Sequence, residues 1–218
     1  MAQTFLERLS LRLGKDLGDT PISYTADGKT LTAEQRESAI NRALAEIYDM
    51  KLGAGVELTL ERAKNFMNEF NEYRHLETLE RMIPTALKMW TKPDKDILDI
   101  RKIISIQVDA VAPLIENVTA YPYSADQFHS VVNNEYSNYY PTVTRPWFFE
   151  FKDNFSLEMG KTGASDNTVL IGTLKLLCLI APVYQSFISG GTDILAPRGW
   201  EDLIIEMSKS IIQGSHQV

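Results

Sequence analysis

A single cysteine, Cys178, is present among 218 residues. One thiol closes no disulfide within the chain, and it removes every zinc site that needs two or more thiolate ligands. Histidine is nearly as scarce: His75, His129 and His216 stand far apart, with no metal-ligand spacing. No apolar run reaches the roughly 20 residues that a membrane span requires. The most apolar stretch, Thr168 to Val183, contains Lys175, Gly172 and Pro182 and reads as a buried element. The opening Met1-Ala2-Gln3-Thr4 lacks the basic start and apolar run of a signal peptide, and Ala2 stands where myristoylation needs glycine. Without a secretory signal, Asn117-Val118-Thr119 and Asn154-Phe155-Ser156 read as chance glycosylation patterns. Basic residues are outnumbered by acidic ones, 22 to 29, for a formal net charge of -7. General nucleic-acid binding draws most of its affinity from basic contacts to phosphate, so this balance opposes it. Also missing are a Walker A loop, a dinucleotide-binding glycine fingerprint, a nucleophile elbow and a His-Glu-x-x-His pair.

What remains is the composition of a globular chain, 44% hydrophobic and 23% charged, and long enough to bury a sizeable core. Phe5, Leu6, Leu9 and Leu13 recur at helical spacing, which predicts a helix over 3–13 stopped by Gly14 and Leu17-Gly18-Asp19. A loop with Asp27-Gly28 follows. Thr32-Ala33-Glu34-Gln35 then fits a capping box, opening a helix with Ile40, Ala43, Leu44 and Ile47 on one face, Glu34, Glu37, Arg42 and Glu46 mostly on the other, and Gly53-Ala54-Gly55 at its end. The period near 3.6 of Ala63, Phe66, Met67, Phe70, Tyr73, Leu76, Leu79 and Ile83 predicts a third helix over 59–83, broken at Pro84.

Beyond residue 97 the character changes. The β-branched run Ile97 to Val108 predicts a strand, and Ser124-Ala125-Asp126-Gln127 a cap for a helix over 125–138. Trp147 to Lys152 predicts a strand pairing with Phe155 to Met159. Thr168 to Ile180 reads as one long buried strand, although periodicity alone leaves a helix open. Trp200 to Ile212 closes the chain as a helix with Leu203, Ile204, Met207 and Ile211 on one face. This order predicts an α+β fold. It has an N-terminal bundle of about three helices over 1–92, a strand-rich region over 93–196 with one inserted helix, and a C-terminal helix and tail over 197–218, together one compact unit. The expected core includes Leu9, Ile40, Leu44, Ile47, Phe66 and Phe70.

Chemistry-bearing clusters are few. Asp94, Asp96 and Asp99 carry oxygen ligands at a spacing open to Ca²⁺ or Mg²⁺, but Lys92, Lys95, Arg101 and Lys102 dilute their charge, and a solvated loop is the favoured reading. The Gly190-Gly191 pair has no basic residue after it until Arg198 and reads as a turn. Cys178, flanked by Leu176, Leu177, Leu179 and Ile180, reads as a packed, inert thiol. No catalytic residue, metal or cofactor is expected. The aromatics are more telling: residues 121–155 hold 11 of the chain's 21. Trp147, Phe149 and Phe151 would share one strand face as core, with Phe148 opposite. Phe148, Tyr136, Tyr139 and Tyr140 are expected at a protein interface, where aromatics give large contact area at low entropic cost. Glu69 and Arg74, on the mixed-charge face of the third helix, join them as candidate contacts.

The segments Leu11-x-Leu13-Gly14, Leu17-Gly18-Asp19, Thr32 and Asn41-Arg42-Ala43-Leu44-Ala45-Glu46-Ile47 resemble the opening of tailed-bacteriophage head–tail connector (adaptor or neck ring) proteins. The strand-rich part, with Ile103 to Val108 and Pro146-Trp147-Phe148-Phe149, looks like that of larger phage virion proteins. The resemblance implies a homo-oligomeric ring, often a dodecamer, in the virion neck or tail, made in the host cytoplasm. Its partners would be the portal protein and tail or stopper proteins. Genome DNA would pass through without sequence-specific binding, and no membrane, cofactor or catalytic residue is implied. Another tail or neck ring protein, a host-side adaptor, and a metal-dependent enzyme centred on Asp94, Asp96 and Asp99 are the alternatives.

Overall fold

The computed structural model describes residues 4–17, 25–26, 29–30, 32–53, 55, 57–83, 89–92, 98–110, 115–123, 136, 140–142, 144–151, 154–158, 170–187 and 193–214. The fold is α+β, as the element order predicts. The chain divides into two compact units: one joins residues 1–57, 66–72 and 181–218, the other residues 58–65 and 73–180.

The first unit is helical. Helix α1 runs Phe5–Leu17, passing through Gly14 rather than stopping there, and α2 runs Ala33–Leu52. The capping box forms: Gln35 N donates to Thr32 Oγ1 at 3.2 Å, and Thr32 N donates to Gln35 Oε1 at 3.0 Å. Gly53 ends α2 at φ 84°, a left-handed conformation that glycine adopts without steric penalty, and its N–H donates to Asp49 O. Helix α3, Leu60–Glu69, contributes its last turn, and α4, Glu201–Gly214, packs on α2 and α1. Phe5, Leu9 and Leu13 from α1, Ile40, Ala43, Leu44 and Ile47 from α2, and Ile204, Ile205 and Ile212 from α4 are buried. Helix α4 is rotated from the expected face: Leu203 is exposed, Met207 and Ile211 are half-buried, and Ser208 is inside. A run of edge-on and tilted rings, Tyr48–Phe66–Phe70–Trp200 with centroids 4.9–5.2 Å apart, links α2, α3 and the entry to α4. Arg8 pairs with Glu201, and Arg12 with Glu206 at 3.1 Å, so α1 and α4 run side by side in the same direction.

This unit draws on both ends of the chain, and α2 supplies the polar link between them. Glu37, expected on the solvated face, is buried. Its carboxylate accepts from Phe187 N at 2.7 Å and from Ser186 Oγ at 3.2 Å. One turn on, Asn41 Oδ1 accepts from Gln185 N at 2.8 Å while its Nδ2 donates to Gln185 O at 2.8 Å. The Gln185 side chain repeats the device on Leu195, accepting from its N at 2.7 Å and donating to its O at 2.8 Å. Two amide side chains thus stand in for a strand pairing along extended chain. The Tyr184 phenol is held above its usual pKa, chiefly by its hydrogen bond to Glu37.

Among the described residues the second unit is a seven-stranded mixed sheet. Its strands are β3 Arg74–Ile83, β4 Met89–Thr91, β5 Ile100–Ala110, β6 Ile115–Pro122, β7 Trp147–Glu150, β8 Asn154–Glu158 and β9 Leu170–Ile180, after the short pair β1 Thr25–Ala26 and β2 Lys29–Thr30. The order is β3-β9-β5-β6-β7-β8-β4, with β6 and β7 the one parallel pair. The β7–β8 hairpin and the β9 strand agree with expectation. The third helix does not: it ends at Glu69, a 3-10 turn covers Asn71–Tyr73, and Arg74 to Ile83 pair residue for residue with β9. Pairing over ten residues overrides the helical period: in the strand Leu76 and Leu79 fall on opposite faces, and Leu76 is 61% exposed. Helix 125–138 lies outside the described residues apart from Tyr136, which is in a turn. Leu174, Leu176 and Cys178 of β9 align with Val108, Ile106 and Ile103 of β5, forming the buried face. On the open face Thr78, Lys175, Gln107 and Thr119 form one cross-strand row.

Leu44 is fully enclosed, so Leu44→Ala should cost about 2–5 kcal/mol in a denaturant melt. Asn41→Ala strips both partners from a part-buried peptide and should cost about 1–3 kcal/mol; a loss below about 0.5 kcal/mol, the range of ordinary surface changes, would contradict the link described here.

Candidate assembly surface

Strand β7 reads Trp-Phe-Phe-Glu, and alternation sends its side chains to two faces. The inward face is Phe148, 2% exposed and opposite Leu157, together with Glu150. The other face carries Trp147 and Phe149, both half-buried, and leads to Phe151, 39% exposed. The expected polarity is therefore reversed: Phe148 is core rather than interface, and Phe151 is surface rather than core. Alternation separates the two sets but carries no mark of which faces in.

The aromatics of this face form a row of two contact groups. Phe149 and Phe151 meet edge to face with centroids 4.7 Å apart. Trp147 stacks on Tyr123 at 3.7 Å and lies 6.0 Å from Tyr121, which is 54% exposed. The parallel ladder sets this spacing: Tyr121 N donates to Pro146 O and Tyr123 N to Phe148 O, each at 2.9 Å. Trp147 Nε1 is buried with no hydrogen-bond partner among the described residues.

Behind the row sits a charged anchor. Glu150 Oε1 accepts from Lys92 Nζ at 2.6 Å and from Ile103 N at 3.2 Å, and Lys102 Nζ lies 3.5 Å from Oε2. The Glu150 and Lys92 side chains are 10% and 9% exposed. The β5–β9 ladder shifts register on both sides of Ile103, and the described β5–β6 pairing begins only at Ile106. The carboxylate thus takes the Ile103 N–H where strand β6 offers no partner. The bond holds β7, and the aromatic row with it, against β5.

The other expected contacts scatter. Glu69 and Arg74 are exposed but lie on a helix and a strand, so they share no helical face. Tyr136 is fully solvated, Tyr140 is half-buried, and Tyr139 lies outside the described residues. So do Asp94, Asp96, His129, Gly190, Gly191 and His216. Asp99 lies 3.5 Å from Arg101. Among the described residues no group of three or more His, Cys, Asp or Glu is placed to hold a metal. Tyr121 and Tyr123 belonged to the aromatic count, but only the β6–β7 pairing, invisible in either segment alone, puts them beside Trp147.

One constellation resembles a nucleophile site. Cys178 is the direct cross-strand partner of His75, whose Nε2 is 2.8 Å from Glu77 Oε2. The thiol is fully buried, and burial first, then the charge of Glu150, pushes its pKa up to about 12. A thiol at that value is protonated at neutral pH and is no nucleophile. The native protein should therefore leave Cys178 unlabelled by a thiol reagent at pH 8, with full labelling after denaturation. Its folded pKa lies above that of an exposed thiol, so the native state keeps a proton that the unfolded state loses as pH rises. Stability should fall from about pH 9 toward 12 by up to about 1.4 kcal/mol per pH unit from this group, and Cys178→Ala should flatten that slope. Compared with family models and with curated proteins, the chain matches none.

Proposed function

We propose that the protein is a structural subunit of the virion neck, a head–tail connector that assembles as a ring between portal and tail and performs no catalysis. The observation that carries this reading is the place of the connector-like segment in the fold. Ala43, Leu44 and Ile47 are core residues of the helical unit, and Asn41 holds the returning chain. Residues that resemble those of a family of assembly proteins are thus used for scaffold, and contact is left to the surface. The aromatic row of Tyr121, Trp147, Phe149 and Phe151 supports that division, because solvent-facing aromatics backed by a rigid sheet are suited to burial against a protein partner. We assign this row to the neighbouring virion protein. A net charge of -7 per copy suits passage of DNA without retention, since like charges repel.

Cryo-electron microscopy of the purified protein mixed with portal should show a closed ring seated on it. Phe151→Ala and Tyr121→Ala should each weaken attachment by roughly 10-fold or more while shifting stability by less than about 0.5 kcal/mol. Phe148→Ala should instead cost about 3–5 kcal/mol of folding stability. A monomer that never engages a portal would overturn the reading.

A further inference from the structure

We propose that subunits join edge to edge in the ring, the open edge of β3 pairing with the β4 edge of the next copy. The inference rests on the ring reading above and names the joint that closes it. The sheet order places β3 at one end and β4 at the other, and no described residue pairs with the outer edge of either. An edge strand presents a row of N–H and C=O groups ready to template another strand. Native edges are usually blunted by charged side chains, above all lysine, by proline, a bulge or short length. Strand β3 is ten residues long, contains neither proline nor lysine, and keeps one uninterrupted register with β9. Its charged residues Arg74, Glu77, Glu80 and Arg81 balance in sign, and the β4 edge is three residues long. Alternate residues of an antiparallel strand direct their backbone groups to opposite sides, so half of the β3 groups face outward.

Strand direction then selects the occupant. From β3, the pairings run antiparallel to β9, β5 and β6, parallel to β7, and antiparallel to β8 and β4. Following them, β4 points opposite to β3. In a cyclic ring every copy stands the same way up. The β3 edge of one copy therefore meets the β4 edge of the next in the antiparallel sense, the sense of every pairing in this sheet except β6–β7. The two edges differ in sequence and length. Their union is head-to-tail, the kind of contact that closes rings, whereas a two-fold β3–β3 pairing would stop at a dimer.

Amide hydrogen exchange measured on the free subunit and on the ring assembled with portal tests this. Backbone amides within 74–79 should exchange at least ~10-fold more slowly in the ring. A Leu76→Glu, Thr78→Glu double variant, whose replaced side chains are exposed and whose second glutamate faces Lys175, should melt as the wild type does and lose ring formation. A ring whose β3 amides exchange as fast as in the free subunit, or that survives the double variant, overturns the edge joint and leaves the connector reading standing. A two-fold dimer with β3 protected also overturns it. No assembly with portal under any condition overturns both.

Discussion

The helical unit depends on a buried carboxylate and an amide one turn apart on α2. A chain leaving a sheet in extended form carries backbone donors and acceptors that must be paired or solvated. Glu37 and Asn41 supply those partners to residues 185–187, and Gln185 passes the arrangement on to Leu195. Without them the strap has no strand or helix of its own to satisfy it, and α4 has no fixed approach to α1 and α2. Burial of Glu37 is tolerable because its charge is met by a backbone N–H and two hydroxyls, Ser186 and Tyr184. A half-satisfied carboxylate in that position would be strongly destabilising. The ring stacking of Phe5 on Phe187, with centroids 6.4 Å apart, and the bond from Phe5 N to Asp193 Oδ1 show the same strap holding the start of α1.

The sheet solves a related problem with a carboxylate that is paired to a lysine as well. Where β5 departs from regular register, Ile103 N loses a strand partner and gains the Glu150 carboxylate, neutralised by Lys92. In both units an acidic side chain replaces a missing backbone pairing. Removing one partner of such a buried pair costs more than the pair contributes, because the other charge is left unmatched in a poor solvent. These groups therefore specify geometry more than they add stability. The geometry fixed by Glu150 is that of β7, which determines which aromatics turn outward.

Legibility in the sequence followed how local each signal is. Helix α2 was readable because its capping box and terminal glycine are short-range chemistry. The β7–β8 hairpin was readable for the same reason, and β9 from its long, largely apolar run. Strand β3 was misread because Leu76, Leu79 and Ile83 fit a helical period, while the pairing that decides the matter lies about a hundred residues away in β9. Strand β6 holds Ile115, Val118, Thr119 and Tyr121, which favour a strand, but Glu116 and Asn117 interrupt the run, and Asn117 adopts a left-handed φ of 52°. For the candidate surface, the aromatic excess marked the right stretch of chain. The facing of Phe148 and Phe151 was inverted because the turn of a strand about its own axis is set by its neighbours. Glu37 sat on the polar side of a helical projection, and nothing in α2 alone shows that extended chain will cover it.

Charge explains why assembly would rest on backbone edges and aromatic area rather than on ion pairs. Several basic side chains are already engaged within the subunit: Arg8 with Glu201, Arg12 with Glu206, Arg42 with Glu46, and Lys92 and Lys102 with Glu150. Such pairs align helices and strands inside one copy. They are unavailable to meet a neighbour, and the chain as a whole retains seven excess negative charges. A second copy would therefore meet a molecule of its own net sign. Repulsion between exposed charges fades beyond a Debye length of about 8 Å at physiological salt, whereas strand pairing and ring burial act at contact. A subunit of this composition would gain little by attracting its copies from a distance. Contacts that act only once two surfaces are aligned suit one that is delivered to a template, which sets position and number before the joints close.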